Sequence, residues 1–255
     1  MYHVKKICAG LSASVLALGL AGCSDDPAPA GGNLSLTIAS PGAVAKASRG
    51  AKAAVADTFA AGGDTLVVAS VQVVLREIEL QASEEAGADS LRSEEFEAGP
   101  LLVDLPLGGA IDQVVSVDVT PGTYNEVEFN VDAVRGDEGS AAAFLAAHPD
   151  LDGVSVRVAG SFNGAPFTFT SGLESEQEHD LVPALVVVEG AGALNLTLSI
   201  DHSAWFAAEG GGLIDPATAG SGGPNQEAVE HNIRLSFHSF EDDDHDGHDD
   251  HEGSD

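Results

Sequence analysis

The stretch that decides the fold is TLVVASVQVVLREIELQ, residues 65–81. Val67, Ala69, Val71, Val73 and Leu75 share one parity, so in an extended chain they share one face. Ile78 and Leu80 fall on the opposite parity. A slip of one residue turns every later side chain to the other face. Either a β-bulge therefore sits near Arg76, or the strand changes its partner sheet there.

Other strands surround this one. NLSLTI (33–38) alternates Leu34, Leu36 and Ile38 with polar neighbours and reads as a half-buried strand. Between the two, residues 39–64 are rich in Ala and Gly and carry Lys46, Arg49 and Lys52. Val55 and Phe59, four apart, fit a short helix. The three cations read either as a patch for an anionic membrane surface or as ordinary loop charges. Downstream, 82–99 is a polar, acidic loop, followed by strands in PLLVDL (100–105), QVVSVDV (113–119) and TYNEVEFNV (123–131). Pro121-Gly122 fits a type II turn, with Pro at i+1 and a positive φ at the glycine. SAAAFLAAHPDL (140–151) reads as a short helix closed by Pro149. In 153–171, Asn163-Gly164 joins two alternating runs as a type I′ hairpin. ALVVVE (184–189) and ALNLTLSI (193–200) are two more strands. DHSAWFAA (201–208) fits one helical turn capped by Asp201. In 225–240, Val229, Ile233, Phe237 and Phe240 stand at helical spacing and predict an amphipathic helix lying on the sheet.

Eight or nine short strands with turn signals, and few helices, predict an all-β fold. The expected form is an antiparallel β-sandwich with one or two short helices and a C-terminal helix. The run VDVTPGTYNEVEF (117–129) resembles the turn and tyrosine before a core strand in prealbumin-like and immunoglobulin-like sandwiches of bacterial surface proteins. The resemblance implies that the Tyr124 hydroxyl ties the turn to the sheet.

The start of the chain sets the compartment. Lys5 and Lys6 precede an apolar run from Ile7 to Leu20, and then comes LAGC, residues 20–23. That pattern is a secretory signal. Its apolar core falls short of the roughly 20 residues a membrane span needs. LAGC is similar to the lipobox of bacterial lipoproteins, which implies cleavage before Cys23 and acylation of its thiol and new amino group. Ser24 stands where an aspartate would resemble an inner-membrane retention signal, so the outer membrane is the expected destination. Asp25 and Asp26 are similar to a surface-export signal of some bacterial groups. The expected division is a signal peptide (1–22), a lipidated tether (23–32), a sandwich domain (33–240) and an acidic tail (241–255). Cys8 leaves with the signal and Cys23 carries lipid, so the mature chain has no thiol left for a disulfide. The order of motifs, from lipobox to acidic end, resembles a group of uncharacterised bacterial lipoproteins and implies no known activity.

Charge narrows the partners. The mature chain sets 8 basic residues against 41 acids, a formal charge of about −33 (8 minus 41). Such a surface repels nucleic acid and anionic lipid and attracts cations. Nucleic-acid binding is excluded on this ground, while solubility or a salty habitat would account for the charge equally well.

The tail SFHSFEDDDHDGHDDHEGSD (236–255) looks most like chemistry. Asp242, Asp244, Asp246 and Asp250 fall at positions 1, 3, 5 and 9 of a calcium loop. Gly247 falls at the glycine position, and His248 would offer its carbonyl at position 7. Position 12 departs from the pattern, being Gly253 where a bidentate Glu belongs. The loop resembles thrombospondin-type or dockerin-type calcium repeats, which occur in tandem, whereas this one is single. His245, His248 and His251 with their flanking carboxylates also suit Zn2+ or another transition metal. A solvated polyanion is the third reading.

His202 and Trp205 fit a ligand-stacking site, or a tryptophan plug at one end of the sandwich with His202 on its rim. His231 and His238, seven apart, would share a helix face. Neither G-x-S-x-G, H-E-x-x-H nor a phosphate loop occurs. The expectation is a lipid-anchored envelope protein with a binding or structural role that involves divalent cations. The alternatives are a carbohydrate-active or other hydrolytic envelope enzyme, and an accessory subunit of an envelope complex. The residues name neither a protein nor a glycan partner.

Overall fold

The computed structural model describes residues 32–40, 56–82, 94–96, 100–136, 141–189 and 194–242. Twelve strands in these segments form two sheets, and an all-β sandwich-like fold results.

The spine is β3 (Asp64–Ala82), 19 residues long and partnered on both edges. Residues 66–68 pair with both β2 (Asp57–Ala61) and β8 (Val156–Phe162). Gln72 and Val73 pair with β5 (Leu101–Asp104) and β8, and residues 78–80 with β4 (Glu94–Phe96) and β7 (Gly122–Val131). The parity change near Arg76 is a register shift between Arg76 and Ile78, with Glu77 at a φ of 47°. The partner strands change at the same place, but the sheet does not. A second shift lies between Val68 and Ser70. Because of it the core face runs Leu66, Val68, Val71, Val73, Leu75, Ile78, Leu80. Val67 and Ala69 therefore leave the face that simple alternation gives them. β9 (Ala165–Ser171) and β10 (Ser175–Val187) complete this sheet at its two ends.

The second sheet has the order β12-β11-β1-β6, from β12 (Phe237–Glu241), β11 (Leu194–Ile200), β1 (Gly32–Ala39) and β6 (Ile111–Val119). The β1–β11 pairing is parallel, an exception to the antiparallel expectation. Leu34, Leu36, Ile38, Leu196, Leu198 and Ile200 belong to one core with Val71, Val73, Phe129 and Val131. Ser35, Thr37, Asn195, Thr197 and Ser199, on the other face of β1 and β11, are buried as well. β1 is thus buried on both faces, not on one.

Several local expectations hold. Asn163 and Gly164 take φ of 50° and 82°, as a type I′ turn requires. α1 (Ala141–Ala147) is followed by a 3₁₀ turn opening at Pro149. Asp201 caps the next 3₁₀ turn, accepting from the Ser203 N–H at 2.9 Å. The Tyr124 hydroxyl donates to the Thr120 carbonyl at 2.8 Å. Others do not hold. Gly122 opens β7 without the positive φ a type II turn demands. Residues 57–61 are a strand and not a helix, because pairing with β3 outweighs a single four-residue spacing. The C-terminal helix α2 (Gln226–Arg234) ends early, and Phe237 and Phe240 belong to β12, which pairs with β11. Val229 and Ile233 are fully buried and fix the helix to the core. Trp205 is 1% exposed, and its indole N–H donates to Ser236 Oγ at 2.8 Å. It is therefore a core plug and no stacking platform.

Candidate cation-binding site

The structure divides the expected metal residues. Asp244, Asp246, His248 and Asp250 lie outside the described residues, as do Cys23 and the three loop cations. Asp242 is described and fully buried. Its N–H donates to the Asn195 carbonyl at 3.2 Å, and its Oδ2 accepts from Thr197 Oγ1 at 2.9 Å. Asn195 Nδ2 donates to the Asp242 carbonyl at 3.2 Å and to Thr197 Oγ1 at 3.1 Å, while Asn195 Oδ1 accepts from Thr37 Oγ1 at 2.6 Å. Asp242 thus closes a polar network across β1 and β11, and its Oδ2 is turned into the sheet. A buried network of this kind is favourable only when its members are satisfied.

A different carboxylate group gathers on the outward face of the larger sheet. The register sets Glu79 of β3 opposite Glu128 of β7, and Glu128 opposite Glu178 of β10. Gln81, Glu126 and Asp180 form the next row. Glu128, Glu176 and Glu178 each bring one oxygen within 4.8 Å of the other two. Glu128 is half-buried, and its carboxyl titrates above the usual glutamate range. Burial is the first cause, followed by a hydrogen bond and charge repulsion from Glu176, and then by Glu79. Gln81 Nε2 donates to Glu128 Oε2 at 3.1 Å and opposes that shift. Like charges directly opposite on neighbouring strands destabilise a sheet. An oxygen-only donor set suits a hard cation such as Ca2+ better than Zn2+. Sequence reading missed this group because its members come from three strands whose pairing no local pattern announces.

A third group is also unannounced. Ser40, at the end of β1, sits with its Oγ 3.0 Å from His202 Nδ1. His202 Nε2 lies 3.0 Å from Asp57 Oδ2, and Asp57 opens β2. Asp57 Oδ1 meets no donor. The Gly108 N–H donates to Asp57 Oδ2 at 3.3 Å. All three residues are buried, at 2% exposure or less. Burial holds the His202 ring below its usual pKa, against the pull of Asp57 and Asp201. His202 therefore joins the two ends of segment 41–56, and it is not the rim residue that its place beside Trp205 suggests. His231 and His238 part company, one on α2 and the other on β12.

No known protein family, curated protein or solved structure matches this chain. Among the described residues no helix is long and apolar enough to cross a membrane.

Proposed function

We propose that this protein is a lipid-anchored protein of the bacterial cell envelope whose sandwich binds divalent cations through the outward carboxylates of β3, β7 and β10. The observation that carries the cation reading is the convergence of Glu128, Glu176 and Glu178 oxygens within 4.8 Å, with Glu79 in register beside them. The anchoring reading rests on Lys5, Lys6, the apolar run and LAGC, with Ser24 directing the product to the outer membrane. In this reading Ca2+ neutralises a face that is otherwise self-repelling, and the role is binding or structural.

Calorimetric titration with Ca2+ and then Zn2+ tests the site, on the chain from Cys23 to Asp255 with Cys23 replaced by Ser. Saturable calcium binding that is lost in Glu128→Gln/Glu178→Gln supports the array. Binding that survives those changes but vanishes when the chain ends at Asp242 moves the site to the tail. Equal, weak, salt-sensitive heats in every version leave only a solvated polyanion and end the cation reading. The truncation must follow Asp242, because that residue belongs to the sheet.

A second reading, a hydrolytic envelope enzyme, is favoured by the Ser40–His202–Asp57 chain alone. A hydrolase serine faces Nε2 of its histidine and the acid faces Nδ1. Here the nitrogens are reversed, and Ser40 is buried. Covalent labelling of Ser40 by a serine-directed fluorophosphonate would establish that reading, and an unlabelled Ser40 would remove it.

A further inference from the structure

The outward face of β10 changes chemistry along its length. Glu176, Glu178 and Asp180 line its first half. Val182 follows in the irregular stretch between Asp180 and Leu185, then Val186 opposite Thr123, and Val188 just past the end of the strand, at 80%, 53% and 55% exposure. Leu181, Leu185 and Val187 are buried, the last two alternating with Val186 and Val188. A half-buried strand carries polar residues on its solvent face, so three exposed valines break the pattern where the acids before them keep it. Among the described residues β10 is also an end strand, with no partner on its outer edge.

The register fixes where these valines sit. Val187 pairs with Gly122, the first residue of β7. β7 follows β6 through Thr120 and Pro121, and Val119 at the end of β6 pairs with Gly32, the first residue of β1. Val186 and Val188 thus share a pole with the start of the domain. Among the described residues Leu235 is the one other large exposed apolar side chain, at 64%. It precedes Phe237, the partner of Ile200, at the far end of β11. The seven residues of β11 separate the two poles by roughly 20 Å at about 3.3 Å per residue.

Only nine peptide steps join Cys23 to Gly32. Fully extended they span at most about 30 Å. An acylated Cys23 therefore attaches the domain to the bilayer at this pole, while the Leu235 pole lies about 20 Å farther along β11. We infer that the Val182–Val186–Val188 end of β10 is a docking edge that rests on the surface of the membrane carrying the anchor. This rests on the anchoring reading above. One lipid signal and one weak apolar contact act together, because docking costs little entropy once the acyl chains have localised the domain. Glu189 is exposed at the same pole, and Glu241 stands opposite Leu196 near the start of β11, so the edge fits a zwitterionic surface and is repelled by an anionic one. The acid half of β10 is carried away from the bilayer.

The test uses the full lipidated chain in phosphatidylcholine vesicles. Val188→Cys and Leu235→Cys each receive an environment-sensitive dye, and spin-labelled lipid serves as quencher. With Cys23 acylated, the introduced thiol is the only one that reacts. The expected result is severalfold stronger quenching at 188 than at 235. Adding Val186→Asp to the Val188→Cys chain should lower the first to the level of the second while the protein still floats with the vesicles. Floating protein with equal, weak quenching at both positions overturns the docking edge and leaves the anchor intact. Shielding at 188 without lipid quenching, together with 188–188 disulfide crosslinking before labelling, overturns it in favour of a second copy. Protein that takes dye on Cys23 and does not float overturns the anchor and the docking edge together.

Discussion

The two sheets treat their outward faces in opposite ways. In the larger sheet Glu79, Glu126, Glu128, Glu178 and Asp180 stand in cross-strand rows on a half-exposed to exposed face. In the smaller sheet Ser35, Thr37, Asn195, Thr197 and Ser199 occupy the equivalent face and are buried. Both sets alternate with apolar residues, and both are polar. What separates them is size and satisfiability. Thr37, Asn195 and Thr197 bond to one another and to Asp242, while Ser35 Oγ meets no partner. A row of carboxylates has only acceptors when ionised and needs water or a cation. Polar alternation thus says which face turns from the core, and the kind of polar residue says whether that face tolerates being covered.

The buried side of this comparison should break hardest. Asn195→Ala leaves the Thr37 hydroxyl and the Asp242 carbonyl without their partner. It should cost roughly 2–4 kcal/mol, read as a drop in the denaturant midpoint at unchanged slope. A loss of under about 0.5 kcal/mol, typical of a surface site, would show that this face is in contact with water.

His202 gives the next effect, through pH. Its folded pKa lies below the usual value, so above about pH 6.5 it is neutral in both states and its contribution is complete. As pH falls below that, the unfolded chain takes up a proton that the folded ring refuses. Stability is then lost until the folded pKa is passed. His202→Gln should flatten this part of a stability profile measured from pH 7 to pH 5, and an unchanged slope would refute the assignment.

Asp242→Asn comes third. Its amide oxygen can still accept from Thr197, and the backbone bonds to Asn195 are untouched. The cost should stay below about 1 kcal/mol, the scale of one net hydrogen bond, and is read from the same denaturant midpoint. A larger loss would mean that the charge itself matters there.

The smallest effect has the opposite sign and belongs to the exposed face. Glu128→Gln removes a like charge between Glu79 and Glu178 and should stabilise the protein by about 0.5 kcal/mol at neutral pH in low salt. The raised Glu128 pKa means that the folded state holds its proton longer than the unfolded chain does. The associated stability is full below the unfolded value and is lost as pH rises through the folded one. The variant should erase that decline. In saturating calcium the order should reverse, with the parent gaining more than the variant.

Much of the fold was legible locally. The Asn163-Gly164 hairpin, the Asp201 cap and the bulge after Arg76 each follow from a few adjacent residues and the dihedrals they favour. The Tyr124 tie was legible through a resemblance. β2 and β12 were not, because Phe59 and Phe237 sit in runs whose spacing fits a helix as well as a strand. Tertiary pairing chose between them. The carboxylate array and the Ser40–His202–Asp57 group were illegible for a related reason. Glu79, Glu128 and Glu178 are about fifty residues apart in the chain, and Ser40 and His202 are 162 apart.

The sequence alone determined the all-β class, the acidity and the position of the Asn163-Gly164 turn, since each depends on composition or on a few neighbours. The tertiary structure decided which polar face is covered, that Asp242 belongs to the sheet, which acids share a row, and that the exposed Val186 and Val188 lie at the pole where β1 begins. Those facts depend on strand order and register, which are set by the burial of a common core and not by any one segment.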